Sequence, residues 1–247
     1  MHQVKDLDLL QMPAEGVAAY WLALKKMLGS SKNFKALEQE AEFVSEPFIR
    51  HLLGISFGNF AEPKIRLLAA AKADQVQQNI GLRLDLMRVC LLDMLSVENP
   101  HRTLAKMMAQ YIDPPAPPAK IFKYAQALLK QKTDAQNAAS HFNVTSRLSD
   151  DRLVTVLIFY NLLVRHIDKM ACQNYIPHIQ SRFFRDGLAL IIDGFEEPFV
   201  RRWLRVHKRA TLHCLTQNMN MSLELCLALR ERCEYEEMEL VARSFLP

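Results

Sequence analysis

A nineteen-residue pattern that occurs twice, 135 positions apart, most narrows what this chain can fold into. Residues 48–66 read FIRHLLGISFGNFAEPKIR and residues 183–201 read FFRDGLALIIDGFEEPFVR. Seven positions are identical: Phe48 with Phe183, Arg50 with Arg185, Leu53 with Leu188, Phe60 with Phe195, Glu62 with Glu197, Pro63 with Pro198 and Arg66 with Arg201. Four of these are not apolar, so shared hydrophobic spacing alone does not account for the match. In both stretches an apolar helix runs into a glycine break, at Gly58 or Gly194. A Glu-Pro pair then restarts the chain as helix. Proline fits the first turn because its missing N–H would have no partner there, and the acid lies at the positive end of the dipole. Further on, Gln78-Asn79 meets Gln217-Asn218 if four residues are inserted in the second copy, about one helical turn.

Helical periodicity extends over most of the chain. Pro13 to Leu28 closes at Gly29, Phe34 to Val44 follows, and Pro47 to Phe57 precedes the first break. The long helix after Ala61 is expected to reach Leu95. Its Ile80, Leu84, Met87, Leu91 and Met94 alternate spacings of four and three, which lines one face. Asn99-Pro100 starts another helix ending near Tyr111. Asp113-Pro114-Pro115-Ala116-Pro117-Pro118 cannot continue it and reads as an extended connection. Helix resumes over Ile121–Lys132, and Thr133–Arg147 is polar with little periodicity. Ser149-Asp150-Asp151 resembles an N-cap for a helix to about Cys172, followed by a helix over Pro177–Ile192 and a short acidic one within Glu231–Arg243. Leu153–Val164 is too short to span a bilayer, which needs about 20 residues, and reads as a core helix. The expectation is an all-α fold of two tandem helical repeats forming a pseudo-twofold bundle. Residues 1–112 form the first repeat, 113–148 a Pro-rich linker and connecting helix, and 149–247 the second repeat.

The stretch FFRDGLALIIDGFEEPFVRRWL, and upstream FKALEQEAEFVSEPFIRHLL, resemble the cytoplasmic segment of the MotA-type stator subunits of the bacterial flagellar motor. The resemblance covers roughly 30 to 40 residues in each half. It departs from the family at Gly54 and Ala189, where an Arg is expected, and in lacking the transmembrane helices that build the ion path. It implies a duplicated relative of that segment, working by protein contact in the motor or a related membrane motor complex. Glu197 lies near where the family places an acidic contact residue.

Chemistry-bearing motifs are few. With 7 glycines in 247 residues and no GxGxxG or GxxxxGK[ST], a phosphate-cradling loop is not expected. HExxH, CxxC and GxSxG are absent too, so no catalytic residue, metal ligand or cofactor is assigned. The acid pairs at Asp150-Asp151 and Glu196-Glu197 begin helices, where the dipole explains them. Cys226 and Cys233, seven apart, are expected in one apolar seam. Five widely spaced cysteines, without a secretory leader at the start of the sequence, predict free thiols in the cytoplasm. The densest charge is basic: Arg201, Arg202, Arg205, Lys208 and Arg209, with Trp203 and His207 among them. At helical spacing these project as a stripe. Together with Glu197 they are the candidate partner-binding residues. Such a stripe reads as a plain solvated face, as a docking surface for another protein, or as the face of a nucleic-acid-binding regulator using residues 201–209; for function, docking is the first reading and nucleic acid the second.

Overall fold

The computed structural model describes residues 7–29, 35–130 and 141–246. Among these the protein is all helix, with no strand. Ten α-helices follow in order: α1 Ala14–Leu28, α2 Lys35–Phe43, α3 Pro47–Ser56, α4 Glu62–Leu95, α5 Pro100–Met108, α6 Pro118–Lys130, α7 Asp150–His166, α8 Arg182–Ile192, α9 Glu197–Glu231 and α10 Tyr235–Arg243. A 3₁₀ helix, Met170–His178, lies between α7 and α8. Phe34, residues 131–132 and most of the polar stretch 133–147 lie outside the described residues. No described helix is long and apolar enough to cross a membrane.

Local chemistry sets the boundaries. Gly29, at φ 53°, ends α1. Glu46 caps α3 by accepting from the Phe48 N–H, with Pro47 in the first turn. Asn99 caps α5 in the same way, again ahead of a proline. Glu62 and Glu197 begin the two long helices. Gly194, at φ 82°, ends α8, and the Phe195 N–H reaches back to the Leu190 carbonyl. That is the six-to-one bond of a left-handed helix stop, which glycine adopts without a Cβ penalty.

Several sequence expectations need correction. Pro177–Ile192 is not one helix: Pro177 lies inside the 3₁₀ helix, and α8 starts at Arg182 with the Ser181 hydroxyl accepting from the Phe184 N–H. The helix expected to run to about Cys172 ends at His166, and Cys172 lies in the 3₁₀ helix; its start is as expected, with Ser149 at the N-cap and Asp150 and Asp151 in the first turn. Cys233 lies beyond the end of α9 in a turn, so it does not share the seam of buried Cys226. The four-residue insertion has no counterpart either, because α4 has 34 residues and α9 has 35.

The element starts recur with a constant spacing. Helices α3, α4 and α5 start at 47, 62 and 100; α8, α9 and α10 start at 182, 197 and 235, each 135 later. Among the described residues two non-glycine residues have positive φ, Val97 (50°) and Arg232 (65°), and they stand 135 apart as well. Their surroundings match: Val97 N–H bonds to the Met94 carbonyl and Glu98 N–H to Asp93, as Arg232 bonds to Leu229 and Cys233 to Ala228.

The described residues group into two compact units. One contains the chain up to Asn79 together with the chain from Ala210 onward. Its core is built on fully buried Trp21, Leu37, Phe48 and Leu52, with Met221, Leu225 and Cys226 of α9. The other contains Ile80–Arg209. Its centre is α7, where every residue from Leu153 to Val164 is buried, as the apolar run predicts. Phe142, Phe159, Tyr160, Tyr175 and Phe184 cluster there, with Phe159 edge to face against Tyr160 and Tyr175, and the Tyr160 hydroxyl donates to the Phe142 carbonyl at 2.8 Å. These units cut the chain differently from the lengths 1–112 and 149–247, since each unit takes residues from both.

Candidate docking face on α9

The candidate residues all lie in the unit formed by Ile80–Arg209, on the first turns of α9. Val200 and Leu204 are fully buried and fix the inward face. At 100° per residue, Phe199, Arg202, Arg205, Val206 and Arg209 fall on the opposite side, and all five are exposed. Phe199 and Val206 are each 47 % exposed, and Phe195, just ahead of the helix, is 42 % exposed. The Phe195 and Phe199 rings stack with centroids 4.9 Å apart. The face therefore combines an apolar edge of Phe195, Phe199 and Val206 with a row of guanidinium groups.

The basic residues divide into two sets. Lys208 turns inward and bonds Asp85 of α4 at 2.5 Å, with both side chains mostly covered; Asp85 also meets Arg88 at 3.2 Å. Arg201 is tied to Glu197 one turn earlier. These three predicted site residues thus spend their charge within the protein. Arg202, Arg205 and Arg209 have no acidic partner among the described residues and point their charge to solvent. The sequence reading missed the aromatic part of the face. Phe195 sits in the break and Phe199 two residues inside the helix, where an apolar residue reads as core until the opposite face is known.

Trp203 and His207 flank the inward face. The His207 ring stands 4.5 Å from Trp203 and 5.5 Å from Phe183, between centroids. Burial lowers its pKa below the usual histidine value, only partly offset by Asp186. The imidazole is thus neutral at pH 7, and it adds packing rather than charge to the face.

Elsewhere the polar chemistry is structural. Asp93 accepts from Thr103 at 2.8 Å and from Lys106 at 2.8 and 3.0 Å, fastening α5 to α4. Burial pushes the Cys172 and Cys226 thiols up to about 12 and raises Cys90 well above its ordinary value. Three of the five thiols are therefore held protonated, unsuited to nucleophilic work. An open cleft of about 340 Å³ lies between α6 and α7, lined by Tyr124, Leu128, His141, Ser149 and Asp151. Among the described residues no group of three or more His, Cys, Asp or Glu side chains is placed to hold a metal ion. No family model, curated protein or solved structure matches the chain.

Proposed function

We propose that this protein is a non-enzymatic helical docking module that receives an acidic, amphipathic segment of another protein on the outer face of α9. The observation behind this reading is the exposure of Phe195, Phe199 and Val206 beside Arg202, Arg205 and Arg209, on a helix whose other face is buried. Exposed apolar surface is unfavourable in water by roughly 25 cal/mol per Å², so covering the two rings and Val206 favours association. Arginine and aromatic side chains together are the composition of protein interfaces, and a guanidinium fork pairs two oxygens of a carboxylate at once. The row of arginines therefore selects an acidic partner over a neutral one.

The setting we propose is the bacterial flagellar motor or a related membrane motor complex, on its cytoplasmic side. This rests on the likeness of both halves to the MotA-type segment. The recurrence of helix starts at a spacing of 135 supports reading the chain as two tandem copies of one design. The copies differ at the proposed face. Arg202, Arg205 and Arg209 correspond to Leu67, Ala70 and Asp74. Phe60 is 45 % exposed where Phe195 stands in the second copy. The first copy therefore lacks the arginine row and carries Lys64 where Phe199 stands.

The test is capture from motile cells with a photo-reactive residue at Val206, comparing the native chain with Arg202→Glu/Arg205→Glu/Arg209→Glu. The reading predicts an acidic component of the motor or of another membrane complex on the native chain and its loss on the variant. Recovery of no such component, or equal recovery by both, overturns it. A gel shift of duplex DNA or RNA at low salt, abolished by the same variant, would instead make this the face of a nucleic-acid-binding regulator.

A further inference from the structure

We infer that the two copies are joined as a reciprocally exchanged pair, in which the first helix of each copy is completed by the last helix of the other. This rests on the tandem-repeat reading and not on the docking of a partner. Helix α1 packs against α10, and α7 packs against α5. With copies at 7–108 and 142–243, α1 and α7 occupy the same place, as do α5 and α10. Both pairings therefore join opposite copies. The compact units agree. One takes α1–α3 and the start of α4 from the first copy, and the end of α9 and α10 from the second. The other takes the end of α4 and α5 from the first copy, and α7, α8 and the start of α9 from the second.

The polar contacts repeat this exchange at matching positions. Asn218, on α9, donates to the Leu9 carbonyl at 2.9 Å and to Met12 at 3.2 Å, in the segment leading into α1. Arg83, on α4 and 135 positions earlier, donates to the Ser146 and Leu148 carbonyls at 2.9 and 2.7 Å, in the segment leading into α7. Each long helix thus holds down the entry to the other copy's first helix. Within each copy, Leu9 meets Glu46 (N–H to carboxylate, 3.2 Å) as Val144 meets Ser181 (carbonyl to N–H, 2.8 Å). Leu9 and Val144 are both buried.

The physical cause is helix length. At 1.5 Å per residue a helix such as α4 is roughly 50 Å long. Its last turns cannot fold back on the short helices that precede its first turn. Those turns are nonetheless apolar on one face, with Leu84, Met87, Leu91 and Met94 buried. They need a core supplied from elsewhere, and another copy is a surface of the right shape. Exchange of an identical element is a low-cost route to such pairing.

Hydrogen exchange on the full chain separates this from two self-contained halves. Met238→Ala opens space at the fully buried centre of α10, and Met107→Ala does the same in α5. The inference predicts that M238A speeds amide exchange in α1 and leaves α7 unchanged, while M107A speeds it in α7 and leaves α1 unchanged. The reverse assignment overturns it. A second measurement places a specific protease site in residues 113–117 of the intact chain. After complete cleavage the two fragments should co-elute at the size of the uncut chain, keep its helical circular dichroism and part only in denaturant. Fragments that separate in native buffer, folded or as precipitate, overturn the exchange and leave the docking face to its own test.

Discussion

One substitution, glycine to alanine, should change stability with opposite sign at two helical positions. Gly54 lies in α3, and a Cβ built there meets nothing within 4 Å. Gly187 lies in α8, and a Cβ there would stand 2.6 Å from Leu91 Cδ1 and 3.1 Å from Leu204 Cδ2. In a helix interior, alanine is favoured over glycine by about 1 kcal/mol, because glycine loses more backbone freedom on folding. G54A should keep most of this and gain about 0.5–1 kcal/mol, less than the full value because the position is near the end of its helix. G187A has the same backbone gain but forces a methyl group into contact. Leu91 and Leu204 are fully buried, so neither can swing into solvent. Overpacking of this kind costs about 1–3 kcal/mol, which leaves a net loss of up to about 2 kcal/mol. For a chain of this size, about 2–4 °C of Tm accompanies each kcal/mol. Thermal and urea unfolding followed by circular dichroism should therefore move in opposite directions for the two variants. Leu91→Ala added to G187A should be less damaging than the sum of the two single changes, by on the order of 1 kcal/mol. If G187A is as stabilising as G54A, the close approach of α8 to α4 and α9 is not real and the packing described here fails with it.

Two further outcomes follow from particular residues. Val97 and Arg232 hold a left-handed conformation that disfavours residues with a Cβ, so Val97→Gly should raise stability by about 0.5–1 kcal/mol after the entropy of glycine is counted. A loss for V97G in urea unfolding would contradict the assigned turn. His207 has a pKa lowered by burial, so the unfolded chain takes up its proton first as pH falls below about 6.5. Its contribution is therefore present at pH 7 and above and is lost on acidification. His207→Phe keeps the ring against Trp203 and Phe183 and should flatten the fall in stability between pH 7 and 5; an unchanged slope would show that His207 is not the group responsible.

How far the sequence reached depends on whether a feature is local. The start of α4 at Glu62-Pro63, its end at Leu95 and the buried run Leu153–Val164 could all be read, because proline, terminal acids and apolar spacing act within a turn or two. The 3₁₀ helix could not, since Pro177 reads equally well as a helix start, and the deciding Ser181 cap depends on the shape of the preceding loop. The proposed docking face was half visible. Its arginines stand out as a cluster, but the inward turn of Lys208 depends on Asp85, which is 123 positions away.

The sequence by itself determined that this protein is built of helices and that one pattern of apolar helix, glycine break and Glu-Pro restart occurs at two places 135 positions apart, because periodicity and breaks act locally. Only the tertiary structure decided which helices share a core: α1 packs with α10, and α5 with α7. A spacing of 135 is equally consistent with each half packing on itself or with the halves exchanging ends. The choice follows from long helices too stiff to turn back and from buried faces, such as Leu84, Met87, Leu91 and Met94, that must find their contacts in parts of the chain distant in sequence.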